Sequence, residues 1–168
     1  MSATTTADTN KQINGLSHHR PDVTMQREIC DKIMKIDRNI RFVGVVSNKG
    51  EVIAGGFCNG VEPLLSGQDE QQMYVQSLSS MNMLRDFRSS LGDVVYSITE
   101  YKKVALVTFP LADGILCLSA SSKADINKIK ERALQIINSF ATTKQKIVSA
   151  KKPQNRRKDK NTAKKQAV

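Results

Sequence analysis

The sequence predicts an α+β domain, a five-stranded antiparallel sheet flanked by helices in the order αββαβββα. Three observations predict it. Two apolar runs rich in β-branched residues, Ile40 to Ser47 and Glu51 to Phe57, are joined by Asn48-Lys49-Gly50, the pattern of a hairpin whose turn needs positive φ. A second hairpin signal, Asp113-Gly114, joins the runs Val104 to Phe109 and Ile115 to Ala120. Helical periods precede the first hairpin, follow it and close the compact part. Hairpin connections favour antiparallel pairing, with helices packed on the faces of the sheet.

The elements follow in order. Residues 1–21 hold few apolar anchors and are expected to be disordered, since they cannot offset the entropy of being ordered. Thr24, or Asp22 before it, is placed to cap a first helix whose apolar stripe is Met25, Ile29, Ile33 and Ile36. The first strand turns apolar on both faces at Val43 and Val45-Val46, which predicts a strand covered on both sides. Gly55-Gly56 weakens the second strand and marks a bulge or a close backbone approach. After a loop over Asn59 to Gln68, Ser66 and Asp69 form a capping pair for a long helix from Asp69 to about Leu91. Its main stripe is Met73, Leu84, Phe87 and Leu91, with small Ser77 and Ser80 between them. A second set, Tyr74, Leu78 and Met81, lies about a quarter turn away. Two apolar sets imply two contacts, the sheet and either a partner or the helix's own preceding loop. Val94 to Thr99 reads as a half-exposed third strand, Val104 to Phe109 as a central strand stopped by Pro110, and Ile115 to Ala120 as the fifth. Ser122 with Asp125 caps a last helix with Ile126, Ile129, Ala133, Ile136, Ile137 and Phe140 on one face.

Charge divides the chain of 168 residues more sharply than hydropathy does. Residues 144–168 hold ten of the 26 Lys and Arg against one acid, Asp159, so they carry +9 of the net +10. The sequence therefore reads as a domain over 22–143 followed by a disordered basic tail over 144–168. Lys151, Lys152, Arg156, Arg157, Lys158, Lys160, Lys164 and Lys165 are the candidate polyanion contacts, interleaved with Asn, Gln and Pro and no aromatic residue. That composition suits sequence-independent contact with DNA or RNA phosphates better than base stacking. An anionic lipid surface or an acidic protein would attract the same charge.

Groups for catalysis are scarce. His18 and His19 are the only histidines, adjacent and remote from any predicted core, so neither a zinc site nor a triad has its ligands or its base. Cys30, Cys58 and Cys117 sit in apolar runs and read as reduced thiols of a cytoplasmic protein. Asp69-Glu70 reads as helix-terminus charge rather than an acid and base pair. No phosphate-cradling glycine loop, secretory signal or membrane span is evident. The reading is a non-enzymatic protein without a cofactor.

The Val43 to Val46 strand, the Asn48-Lys49-Gly50 turn and the Val52-Ile53-Ala54 return strand, in this element order, resemble the roadblock/LC7 family, a profilin-like fold, over Thr24 to about Phe140. The run Arg41 to Leu65 more narrowly resembles a group of short proteins of ammonia-oxidising archaea, which implies a lineage and no activity. The roadblock resemblance implies a homodimer that scaffolds or regulates a protein partner, such as a small GTPase or a larger assembly. It further implies a dimer surface of Tyr74, Leu78 and Met81 on the long helix and Val95, Ser97 and Thr99 on the third strand. Two alternatives stand beside it: a nucleic-acid-associated protein that binds through the basic tail, and a small-ligand sensor with a pocket between sheet and helix.

Overall fold

The computed structural model describes residues 23–150, with side chains to residue 142. The disorder expected for 1–21, His18 and His19, and the eight candidate polyanion residues from Lys151 onward lie outside the described residues. Four helices and five strands follow one another as α1 (Val23–Met34), β1 (Ile40–Ser47), β2 (Val52–Phe57), α2 (Gly67–Arg85), α3 (Arg88–Leu91), β3 (Ser97–Glu100), β4 (Val104–Leu111), β5 (Gly114–Ser121) and α4 (Ile126–Ala150). The strands form one fully antiparallel sheet in the order β2-β1-β5-β4-β3.

The first hairpin closes as its sequence requires. Gly50 has φ 81°, its N–H donates to the Ser47 carbonyl at 2.9 Å, and the Ser47 N–H donates to the Glu51 carbonyl at 2.9 Å. At Gly55 (φ 84°) an added Cβ would collide with the Val43 carbonyl oxygen and crowd the Cys30 sulfur. The glycine is there because a neighbouring strand and helix approach its backbone closely. The bulge itself lies elsewhere on the hairpin, where the register shifts between Val45 and Val46.

Side-chain alternation gives the sheet two unequal faces. Val43 and Val45 of β1, Val107 and Phe109 of β4, and Leu116 and Leu118 of β5 point to one side, where Ile29, Cys30 and Ile33 of α1 and Ile129 and Ala133 of α4 bury them. On the other side Phe42, Val46, Ile115 and Cys117 meet Tyr74, Leu78 and Met81 of α2. The strand predicted to be covered on both faces is β1, buried along nearly its whole length.

Several boundaries differ from expectation, each for a local reason. α1 is described from Val23, so Thr24 lies inside the helix, and the alternative cap, Asp22, lies outside the described residues. The long helix breaks after Arg85, and α3 is a separate turn ended by Gly92 at φ 83°. β3 begins only at Ser97, because the preceding residues run alongside without ladder bonds. β4 passes through Pro110, which pairs with Ile115; its missing N–H is tolerated because β3 starts opposite Thr108 and does not reach Pro110. The last helix is capped by Asp125, whose Oδ1 accepts the Lys128 N–H at 3.1 Å, not by Ser122. Its backbone runs seven residues past the expected boundary at 143.

Replacing Gly55 by Ala should lower unfolding free energy by roughly 2–4 kcal/mol, since the new methyl meets a backbone carbonyl at a positive φ. Urea unfolding of the two proteins measures it, and an unchanged midpoint would contradict the close approach.

Candidate functional site

Two tethers fix α2 across the sheet. Gln71 Nε2 donates to the Gly50 carbonyl at 2.8 Å, and Arg85 Nη2 donates to the Leu111 carbonyl at 3.1 Å. Both anchor points belong to hairpins at one end of the sheet, so α2 lies over that end. Ser66 begins the helix: its Oγ accepts the Asp69 N–H at 3.2 Å and donates to Asp69 Oδ2 at 2.7 Å, the capping pair read from the sequence. Asp69 and Glu70 then occupy the first turn, where the helix dipole favours anions.

Between α2 and the turn joining β3 to β4 the sheet face is open, as a groove of about 680 Å³. Met73, Tyr74 and Ser77 form one wall, Tyr101, Lys102 and Lys103 the opposite one, and Leu106 and Thr108 lie on its floor. Phe42 stacks on Tyr74 with ring centroids 5.7 Å apart and meets Phe57 edge-on at 5.0 Å. The stack needs Gly44, because a Cβ there would run into the Phe42 ring. Arg41 stays at the rim, donating to the Glu62 carbonyl at 2.7 Å, and Leu64 and Leu65 stand exposed beside it.

The structure reverses the two stripes of the long helix. Tyr74, Leu78 and Met81, expected to face a partner, are buried against the helix's own sheet, with Met81 only 1% exposed. They have no surface to offer a second molecule. Met73, Ser77, Ser80 and Leu84, with Phe87 and Leu91 beyond the helix end, make up the other stripe: Met73 packs beside the buried cluster and lines the groove with Ser77, while Leu84 is 40%, Phe87 60% and Leu91 81% exposed. The physical reason is bulk. Tyr74, Leu78 and Met81 fill the space over the sheet without interruption, whereas two serines hollow the middle of the other stripe. Those serines were the signal available in the sequence, since small residues mark where another backbone comes close. Ser77 is also self-satisfied, its Oγ donating to the Met73 carbonyl at 2.9 Å.

Of the strand positions, Val95 is 57% exposed in the segment before β3, Ser97 is half-buried and Thr99 exposed. Ser97 and Thr99 pair with Thr108 and Leu106 and so share the face that carries the groove. β3 pairs only with β4, leaving its outer edge unpaired among the described residues.

The ionisable groups at this site are shifted by burial rather than by catalytic partners. Burial holds the Glu70 carboxyl and the Tyr74 hydroxyl above their usual ranges. Burial also raises Cys117 to about 12 and Cys30 to about 11, so both thiols are protonated near neutral pH. Among the described residues no group of three or more His, Cys, Asp or Glu side chains could hold a metal ion, and no helix is long and apolar enough to cross a membrane.

Met81→Ala should cost roughly 2–5 kcal/mol of stability because it opens a cavity under α2, whereas Leu84→Ala should cost under ~1 kcal/mol in the monomer. Chemical denaturation of dilute protein checks the pair, and equal losses would restore the opposite assignment of stripes.

Comparison with solved structures finds the same architecture in roadblock/LC7 domains. The chain is similar to MglB of Myxococcus xanthus (TM-score 0.56, 15% identity, 80% of this chain and 96% of that one). It is similar to the gliding protein MglB of Thermus thermophilus (TM-score 0.56, 14% identity, 72% and 91%). It is also similar to a roadblock/LC7 domain of Streptomyces avermitilis (TM-score 0.53, 13% identity, 71% and 97%). At these identities the likeness establishes the fold. No curated protein matches the sequence. Residues 21–148 match the profile of DUF6659, described as a family of unknown function, and the chain belongs to that family.

Proposed function

We propose that this chain is a non-enzymatic scaffold or regulatory domain that works as a homodimer, joined by the free stripe of α2 and the open edge of β3. The observation that carries the reading is the stripe Ser77, Ser80 and Leu84 of α2, continued by Phe87 beyond the helix end, beside an uncovered sheet face, with Leu84 40% and Phe87 60% exposed. Its positions alternate by four and three residues, the spacing of a seam between two helices. The two serines at its centre allow close approach. Asp69 and Glu70 at one end of α2 and Arg85 at the other give the helix ends opposite charge, as an antiparallel copy of itself would meet them. In the dimer Val95, Ser97 and Thr99 lie along the strand seam, where β3 pairing removes an exposed edge.

The roadblock architecture supports a protein partner for such a dimer, a small GTPase or a multi-subunit complex. One MglB structure with this fold has a tetrameric arrangement, which supports assembly as the mode of action. The described cysteines are all free, which supports a reducing, cytoplasmic setting, and the likeness of Arg41 to Leu65 to archaeal proteins supports that lineage.

A second reading has its own observation. The +9 charge of residues 144–168 favours a nucleic-acid-associated protein that contacts phosphates through Lys151, Lys152, Arg156, Arg157, Lys158, Lys160, Lys164 and Lys165. A sensor of small ligands draws support only from the groove volume, which falls within the roughly 300–1,000 Å³ of ligand pockets.

Light scattering tests the leading reading. The full chain should be a dimer at tens of micromolar. Ser80→Tyr, a neutral change at an exposed position, should raise the dimer dissociation constant about 10–100-fold by overpacking the seam. A monomeric full chain, or a variant as dimeric as the parent, would contradict it.

A further inference from the structure

Beyond its volume, the groove beside α2 has a distinctive lining. Of the chain's eight aromatic side chains, four line it: Phe42, Phe57, Tyr74 and Tyr101. Phe42 is stacked on Tyr74 and edge-on to Phe57, so three of the rings are held in place by one another. Rings fixed in advance cost a ligand little ordering entropy, and they favour a flat aromatic partner that can stack on a face or meet an edge. Met73, Leu64, Leu65 and Leu106 make the rest of the lining predominantly apolar.

Two polar features interrupt that surface. Tyr74 is 4% exposed, yet its hydroxyl makes no hydrogen bond among the described residues and is not sealed from solvent. Burial keeps this hydroxyl protonated near neutral pH, so it is a donor without an acceptor at the groove wall. At the opposite wall Lys102 and Lys103 are exposed, and their ammonium groups have no ion pair among the described residues. Asp69 and Glu70 line the groove from the first turn of α2. Negative charge is therefore drawn to the lysine wall and repelled from the start of the helix, which gives a bound anion one direction.

The groove is complete within one chain, so a ligand site there goes beyond the dimer reading and does not depend on it. We infer that the groove binds an aromatic organic acid, a flat and largely apolar ring system whose anionic group is held at Lys102 and Lys103. The rings of the ligand lie among Phe42, Phe57 and Tyr101, and the Tyr74 hydroxyl donates to one of its oxygens. The apolar lining favours hydrocarbon rings over a nucleotide, whose base edge would leave polar atoms unpaired. Ser77 belongs both to the groove and to the stripe of the proposed seam, so binding and oligomeric state have to be read separately.

Fluorescence titration of the full chain with anilinonaphthalene sulfonate tests the inference, with phenylnaphthylamine as the same ring body without the acid. Light scattering gives the oligomeric state of each sample, and urea unfolding shows that each variant is folded. Replacing both lysines, Lys102→Gln with Lys103→Gln, should raise the Kd for the sulfonate about 5–10-fold and leave the uncharged body unaffected. Raising salt from about 50 to 300 mM should act in the same sense. Tyr74→Phe should weaken sulfonate binding about 3–10-fold at an unchanged urea midpoint, because the hydroxyl bonds nothing in the protein. Leu84→Gln, outside the groove, should bind like the parent. Naphthoate should displace the probe and adenosine monophosphate should not; the reverse order assigns the groove to a nucleotide and overturns the inference. Absence of binding, or binding that Leu84→Gln weakens and the groove variants do not, also overturns it and leaves the dimer reading standing. A monomeric full chain that binds as expected overturns the dimer reading and leaves the site.

Discussion

One helix cannot cover five strands. α2 crosses the strands near one end, and strands of eight residues are roughly 26 Å long, while a helix with its side chains is about 10 Å wide. One face solves this with two helices, α1 and α4, which together bury the inward residues of β1, β4 and β5. The other has only α2, anchored at one end of the sheet through Gly50 and Leu111. The remaining strip, floored by Leu106 and Thr108, is the groove. The same face carries exposed Leu84 on α2, and β3 at the edge of the sheet is unpaired on its outer side among the described residues.

What the sequence disclosed and what it hid separate along physical lines. Local rules were readable: the Gly50 turn, the Ser66 and Asp69 cap and the doubly buried β1 each depend on residues within a few positions of one another. Tertiary choices were not. Pro110 reads as a stop, yet β4 continues through it because β3 starts opposite Thr108 and does not reach Pro110, a fact about another strand. Ser122 and Asp125 are equally good caps until the helix start at Ile126 selects one. The stripes of α2 are the most instructive case. Both are apolar, and periodicity cannot say which turns toward the sheet. Only the comparison of bulk, Tyr74 and Met81 against Ser77 and Ser80, carries that information.

The buried tyrosine and thiols bear on function in the same way. Tyr74, Cys117 and Cys30 lie where burial keeps them neutral, without a charged partner arranged to activate them. The polar atoms around the groove are instead used structurally: Arg41 holds the loop at Glu62, and the Gln71 and Arg85 amide and guanidinium groups hold α2. These polar groups hold loop and helix in place, and the family profile over residues 21–148 takes in the surface they shape.

The central claim is that a second copy covers the open strip and the β3 edge. Amide hydrogen exchange of Ser97–Glu100, followed from dilute to concentrated protein, tests it at the strand itself. The account predicts that amides of β3 pointing away from β4 exchange rapidly in dilute solution and become protected as concentration rises. Protection that stays absent across the range, while the α4 core remains protected, would contradict it.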